Sequence, residues 1–271
     1  MIPADIREAW DLRGPAEPQS SYANSVWRVG DLAVRLSTSR RPEEVAAELD
    51  FVQHVGRSVA VALPRPSLDG RLVVEVSGGV ACAFEWVDGS KVSVLTPPII
   101  RAWGAHLAGL HTAGEGWRGR RDHWRLDRWW NLDLIDREDR ELLHIAQALL
   151  SEIPTGDEIP CHADHGPQNF HWDTNRIISF DFDNLVYQPI GLDLAVPWSV
   201  LAKEADPQAA WAQFDAGYRS IRPMEASLRD DRALWLRRSW LYVLLSRLDL
   251  WPEPTPEQRM LIERYRARVL G

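Results

Sequence analysis

The stretch Cys161-His162-Ala163-Asp164-His165-Gly166-Pro167-Gln168-Asn169 and, after a six-residue interval, Arg176-Ile177-Ile178-Ser179-Phe180-Asp181-Phe182-Asp183 decide how this chain is read. The first spells His-x-Asp-x-x-x-x-Asn. The second is a short apolar run ending in an acid, twelve residues after the Asn. Gly166 and Pro167 make the segment after Asp164 a loop, because proline blocks helix continuation and glycine permits unusual backbone angles. Residues 177–180 are apolar enough for a buried strand. Loop, ligand, strand, ligand is the order a phosphoryl-transfer site requires. Such a site needs an acid to orient or deprotonate the acceptor hydroxyl, and oxygen ligands to hold Mg²⁺ against nucleotide phosphates. Asp164 suits the first task. Asn169 and Asp181 suit the second, since Mg²⁺ takes a few hard protein oxygens and completes its shell with water and phosphate. A metal-dependent hydrolase using Asp164, Asp181 and Asp183 would draw on the same acids, but no second His/Asp cluster accompanies them.

Composition frames this site. The 271 residues suffice for one large domain or for two lobes sharing a cleft. A hydrophobic fraction of 45% and a charged fraction of 26% are those of an ordinary globular chain. No apolar run reaches the length that spans a bilayer, and Met1 to Glu8 has neither the basic start nor the apolar core of a signal peptide. Cys82 and Cys161 are too few for a disulfide framework or a zinc cluster. A cytoplasmic protein with no membrane partner is therefore expected. The net charge of −8 argues against a nucleic-acid partner, whose phosphates want a basic surface. Residues 131–195, which contain the candidate site, hold thirteen acids and three bases, a net of −10. That excess is either a solvated acidic face or a cleft that attracts cations.

On the His162–Asn169 loop and the Asp181-Phe182-Asp183 strand end, the chain resembles the aminoglycoside phosphotransferase and choline kinase superfamily, the small-molecule relatives of protein kinases. The resemblance implies an α+β, protein-kinase-like two-lobed fold. Residues 1–87 would form a small β-rich, nucleotide-binding N-lobe, and residues 88–271 a larger, mainly helical lobe for catalysis and acceptor binding. By position, Asp164 resembles the catalytic base, Asn169 and Asp181 the Mg²⁺ ligands, and His162 a loop-ordering residue. Ala163 stands where the family usually has Gly, a change that a mild backbone adjustment would absorb. ATP or GTP is the implied phosphoryl donor and a small hydroxylated molecule the implied acceptor; the oligomeric state is open.

The first third carries strand patterns. Ser25-Val26-Trp27-Arg28-Val29 and Leu32-Ala33-Val34-Arg35-Leu36 flank Gly30-Asp31, a hairpin signal. The preceding Ser20-Ser21-Tyr22-Ala23-Asn24 has no Gly-x-Gly-x-x-Gly; the resemblance implies a phosphate-covering loop here, with Ser21 as a candidate nucleotide contact, and an ordinary solvated loop is the other reading. Arg35 is the candidate for the basic residue that pairs with phosphates and with a Glu on the next helix; an exposed strand Arg fits the same alternation. Pro42 opens that helix. Val45, Leu49 and Val52 make its apolar stripe and Glu48 lies beside it, so Glu48 is the expected partner and Glu44 the reserve. Strands over 71–76 and 81–87 are expected across Ser77-Gly78-Gly79. The second ends in Asp88-Gly89, which resembles the family's hinge, so backbone groups at Glu85 and Val87 would face the adenine edge.

The remainder reads as helical. Thr96-Pro97-Pro98 opens a helix ending in Leu107-Ala108-Gly109-Leu110-His111, which resembles the family's Leu-Ala-x-Leu-His, with His111 structural. Further helices are expected over 138–151, 233–250 and 257–270. Gly191-Leu192-Asp193-Leu194-Ala195 resembles the family's Asp-Leu-Ala motif, whose Asp steadies the catalytic loop; a plain helix cap is the other reading of Asp193. Asp183 is held as a second ligand or an acceptor-site residue. Trp124, Trp129 and Trp130 could form a cage for a cationic acceptor, or pack in the core. Two functions follow: a nucleotide-dependent O-phosphotransferase whose acceptor is an aminoglycoside-like or other amine-bearing compound, or a nucleotide-binding regulatory module that has lost turnover. The full set Asp164, Asn169, Asp181, Arg35 and Glu48 favours the enzyme.

Overall fold

The computed structural model describes residues 1–21, 24–119, 130–151 and 158–271. Helix α1 (Ala4–Ala9) precedes a six-stranded antiparallel sheet made of β1 (Glu17–Gln19), β2 (Ser25–Val29), β3 (Leu32–Ser37), β4 (Pro64–Arg65), β5 (Val74–Val76) and β6 (Gly79–Glu85). Helix α2 (Pro42–Val55) connects β3 to β4. The sheet order is β1-β2-β3-β6-β4, with β5 also pairing β6. Val29 lies opposite Leu32, which makes Gly30-Asp31 the two-residue turn that the sequence signals. Along α2, Val45, Leu49 and Val52 are buried as their spacing demands. The Glu44 carboxylate accepts the Arg41 N–H at 3.0 Å and closes the helix start.

Two strand expectations need trimming. Only Val74–Val76 of the 71–76 stretch is a strand. Arg71 is diverted into a turn, where its N–H donates to Ser67 Oγ and its guanidinium to Asp69. The following strand runs Gly79–Glu85, not to residue 87, because the Trp86 N–H turns to the Asp31 carbonyl at 2.7 Å.

The helical part contains α3 (Pro97–Glu115), α4 (Arg140–Ser151), α5 (Ile190–Leu201), α6 (Pro207–Arg219), α7 (Ala226–Asp230), α8 (Arg232–Leu250) and α9 (Pro256–Leu270). Five short strands are set among them: β7 (Ser90–Lys91), β8 (Glu158–Cys161), β9 (Phe170–Asp173), β10 (Arg176–Ser179) and β11 (Val186–Pro189). They pair as β10-β9-β7 and β11-β8. Helix α4 starts two residues later than its apolar pattern allows, because the Asp139 carboxylate takes the Leu142 N–H and acts as the cap. Thr96 occupies the N-cap of α3 without a side-chain hydrogen bond, so Pro97 and Pro98 make that start. Helices α3 and α6 cross at backbone distance: a Cβ on Gly104 would lie 2.0 Å from the Phe214 carbonyl oxygen, and one on Gly217 1.9 Å from that of Arg101.

The largest apolar core joins the two parts. Phe51, Val52 and Val55 of α2 pack with Trp103, Leu107, Phe170 and Phe182. Each such buried side chain contributes about 1.5–3 kcal/mol. The chain after α2 is also laced to β10: Ala62 N–H donates to the Ser179 carbonyl and Ser179 N–H to that of Ala60. Helix α2 and the segment leading to Asp181 are thus fixed to each other. Among the described residues no helix is long and apolar enough to cross a membrane.

Candidate active site

Strand β8 delivers the chain into the loop 162–169, and β9 carries it away. Inside the loop Asn169 Nδ2 donates to both the backbone carbonyl and Oδ2 of Asp164, at 2.8 and 2.9 Å. Gln168 Nε2 donates to Asp164 Oδ1 at 3.1 Å. With its NH₂ committed to Asp164, the Asn169 amide turns its oxygen the other way, as a metal ligand must. Burial raises the Asp164 carboxyl above 3.8, the nearby His162 and the amide bonds oppose the rise, and Asp183 adds to it.

The loop is held from behind by buried polar groups. His162 Nε2 donates to the Phe180 carbonyl at 3.1 Å, and Phe180 N–H donates to the Asn169 carbonyl at 3.0 Å. Asp193, in the first turn of α5, is fully buried. Its Oδ1 accepts the Ala163 N–H at 2.7 Å and its Oδ2 accepts His111 Nε2–H at 2.9 Å. His111 Nδ1 meets the Tyr218 hydroxyl at 2.8 Å. Asp193 therefore caps no helix: both oxygens serve the loop and α3. Ala163 itself has φ +64. The alanine takes the left-handed conformation, which costs an L-residue about 1–2 kcal/mol.

Asp181 lies two residues past the end of β10, also left-handed at φ +65. Its surface opens to solvent, yet it sits in a concave site crowded by acids. Poor hydration first, then the charge of Asp183, push its carboxyl up to about 7, with Glu48 and Asp164 adding to the rise and Arg35 opposing it. Carboxylates that raise one another in this way are hard oxygen donors of the kind a divalent cation takes. Asp183 occupies the 3₁₀ turn Phe182–Asn184, and its Oδ2 accepts a hydrogen bond from Asn24 Nδ2 at 2.9 Å.

Across from these acids, Arg35 projects from β3 and is buried, not exposed. Its two terminal nitrogens grip Glu48 at 2.9 and 2.8 Å. Glu44 instead closes the start of α2, so Glu48 alone of the two pairs with Arg35. Burial pushes the Glu48 carboxyl up, but Arg35 and Arg40 outweigh it and hold the group below 4.5. Among the described residues the buried Arg35 Nε has no oxygen or nitrogen acceptor, and the residue lines a cleft of about 200 Å³. Ser21, Glu85, Val87 and Asp181 line the same cleft, with Ala33, Phe84 and Phe180 supplying apolar walls. At the cleft edge the N–H groups of Glu85 and Trp86 are taken by the Leu63 and Asp31 carbonyls. The Glu85 side chain pairs with Arg65 at 3.0 Å, and the Val87 carbonyl accepts His171 Nδ1–H at 3.0 Å. Among the described residues the Glu85 carbonyl and the Val87 N–H have no partner outside the strand ladder.

The sequence of residues 16–230 matches the model of the phosphotransferase enzyme family. The chain belongs to that family. Among curated relatives of this phosphotransferase, the homoserine kinase of Neisseria meningitidis serogroup B is 28% identical over 202 residues, spanning 69% of this chain and 65% of the relative's length. The homoserine kinase of Allorhizobium ampelinum is 29% identical over 240 residues, spanning 80% and 72%. Among solved structures, an amicoumacin kinase in complex with AMP-PNP and Ca²⁺ superposes with a TM-score of 0.86 at 18% identity, covering 98% of this chain and 91% of that one. A microcompartment-associated aminopropanol kinase gives 0.78 at 20% identity, covering 98% and 94%. The α+β fold of the phosphotransferase, a strand-rich lobe beside a helical one, is the fold of these kinases.

Several residues of the cleft escaped the sequence reading. Gln19, Lys91, Gln168 and His171 line it, and Arg40 shares Glu48 with Arg35. Arg40 lies eight residues before Glu48, and a basic pair flanking a helix start was the available signal. The four-residue strands β8, β9 and β11 are too short for an alternation to declare itself. Trp124 and Trp129 lie outside the described residues. Trp130 packs edge-to-face on Tyr242, with centroids 6.2 Å apart, and adjoins two core clusters.

Proposed function

We propose that this phosphotransferase moves the γ-phosphoryl group of ATP or GTP to a hydroxyl of a small amine-bearing molecule, with Mg²⁺ as its metal. The observation that carries this reading is a cleft lined by the buried Arg35, Asp181 and Gln168, with Gln168 and Asn169 both donating to the Asp164 carboxylate at its border. Asp164 would accept the proton of the acceptor hydroxyl as the new P–O bond forms and the bond from the γ-phosphorus to the departing nucleoside diphosphate breaks, and Gln168 and Asn169 keep its carboxylate aimed. Asn169 and Asp181 would hold Mg²⁺, which neutralises phosphate charge when bound. Arg35 is fixed by Glu48 in a bidentate pair, and its Nε–H would take a phosphate oxygen. The apolar slot between Ala33, Phe84 and Phe180 suits a base, with the Glu85 carbonyl and Val87 N–H at its edge. Ser21 would cover the phosphates. On this assignment residues 1–87 serve the nucleotide, residues 88–271 serve catalysis and the acceptor, and the enzyme works in the cytoplasm where nucleotide and Mg²⁺ are supplied.

The amine on the acceptor is supported by the acidic cleft and by the names of the relatives. Homoserine and aminopropanol are both small molecules that carry an amine and a hydroxyl, so molecules of that kind take precedence over larger amino-sugar antibiotics. The test is a panel of amino alcohols, hydroxy amino acids, aminoglycosides and neutral sugars, assayed for nucleotide-dependent phosphorylation with Mg²⁺. Turnover of an amine-bearing member is expected, and Asp164→Asn should lower its kcat by about two to four orders of magnitude while leaving nucleotide binding intact. Turnover of neutral sugars alone would remove the amine. Nucleotide binding without phosphorylation of any member would favour the regulatory reading.

A further inference from the structure

We infer that Asn24 is a positioning residue that latches the strand-rich lobe, at the start of β2, to the metal-binding turn through Asp183. The inference rests on the nucleotide-dependent reading above. Asn24 stands immediately before β2, which carries the cleft residue Val26. Its amide has no freedom to flip. Ser37, buried at the end of β3, donates its hydroxyl proton to Asn24 Oδ1, which leaves Nδ2 to face the opposite side. There it donates to Asp183 Oδ2 at 2.9 Å, across 159 residues of chain.

The position of each partner gives the bond its consequence. Ser37 lies two residues beyond Arg35 on the same strand, and Asp183 lies two residues beyond Asp181. The chain Ser37–Asn24–Asp183 therefore runs parallel to the path from Arg35 to Asp181, on which the phosphates would lie. A rotation that opened the strand-rich lobe away from the 3₁₀ turn would have to break it. One oxygen of Asp183 is committed to Asn24, so this acid serves closure, and Asp181 is left as the carboxylate turned to the metal. The amide also provides a neutral donor for a carboxylate that already faces Asp181 and Asp164. An unpaired acid there would repel both the nucleotide and its neighbours.

The test is a double-mutant cycle on the full chain, with Mg²⁺ and AMP-PNP as the probe and affinity read by calorimetry. Asn24→Ala is expected to weaken binding about tenfold, the scale of a hydrogen bond to a charged group. In an Asp183→Ala background the same change should have no further effect. Ser37→Ala, which frees the amide to turn, should weaken binding less, and again only when Asp183 is present; it decides the matter should Asn24→Ala fail to fold. Equal losses in both backgrounds would overturn the latch. So would a variant that lowers the melting temperature of the ligand-free protein and leaves the affinity unchanged, for that is the mark of a bond that only stabilises. The two readings fail differently: no binding by the unaltered protein removes the nucleotide itself, whereas tight binding insensitive to Asn24 removes only the latch.

Discussion

Replacing Asp193 by Ala should be among the most damaging single changes outside the cleft. The carboxylate is fully buried and satisfies two donors, the Ala163 N–H at 2.7 Å and His111 Nε2–H at 2.9 Å. Alanine leaves both without an acceptor in a place water does not reach. A buried unsatisfied donor costs about 1–3 kcal/mol, so the pair amounts to about 2–6 kcal/mol, against a total stability on the order of 5–15 kcal/mol. Asp193→Asn should cost far less, about 1 kcal/mol. Its Oδ1 can still accept from Ala163. Its NH₂ then faces His111 Nε2, which becomes an acceptor if the ring proton moves to Nδ1 and donates to the Tyr218 hydroxyl, now 2.8 Å away. Urea unfolding of both variants measures the difference. Turnover should follow the same order, since Ala163 directly precedes Asp164 and the lost bond lets the base wander. If Asp193→Ala loses less than about 1 kcal/mol, or if Asn proves as harmful as Ala, the carboxylate is not what holds the loop.

Ala163→Gly should raise stability by about 1 kcal/mol, because φ +64 strains any L side chain; a loss in denaturant unfolding would show that the methyl group is needed for packing. His106, pressed against His165 with its Nε2 accepting from Ser179 Oγ, is held neutral by burial, which lowers its pKa from 6.5 to about 3. An unfolded histidine takes up a proton that the folded one refuses, so stability is complete above pH 6.5 and declines as pH falls toward 3. His106→Gln keeps an acceptor for Ser179 and should flatten that decline by up to about 1.4 kcal/mol per pH unit; an unchanged slope would mean that His106 titrates when folded. Finally, Asp181→Ala should raise the Mg²⁺ concentration needed for half-maximal activity more than Asp183→Ala does, because one Asp183 oxygen is already taken by Asn24. Equal shifts in a Mg²⁺ titration would make both acids metal ligands.

The sequence by itself determined the elements whose partners lie close along the chain. The spacing of Asp164 to Asn169 already contains the bond between them, which spans five residues. The Gly30-Asp31 turn fixed the β2/β3 register, and the stripe of Val45, Leu49 and Val52 turned Glu48 inward toward Arg35, thirteen residues away. Periodicity and turn chemistry act over such distances, so these features were legible. Tertiary structure alone decided which buried and half-buried polar groups meet: Asn24 with Asp183, His111 with Asp193, Trp103 with His165, and the two histidines His165 and His106 with Ser179. It also decided that Ala163 keeps a glycine's backbone conformation and that Glu85 and Trp86 spend their N–H groups inside the lobe. The reason is physical. A local pattern states that a side chain faces inward, but a polar group brought inside must find a partner there, and that partner is set by how helices and strands far apart in sequence pack.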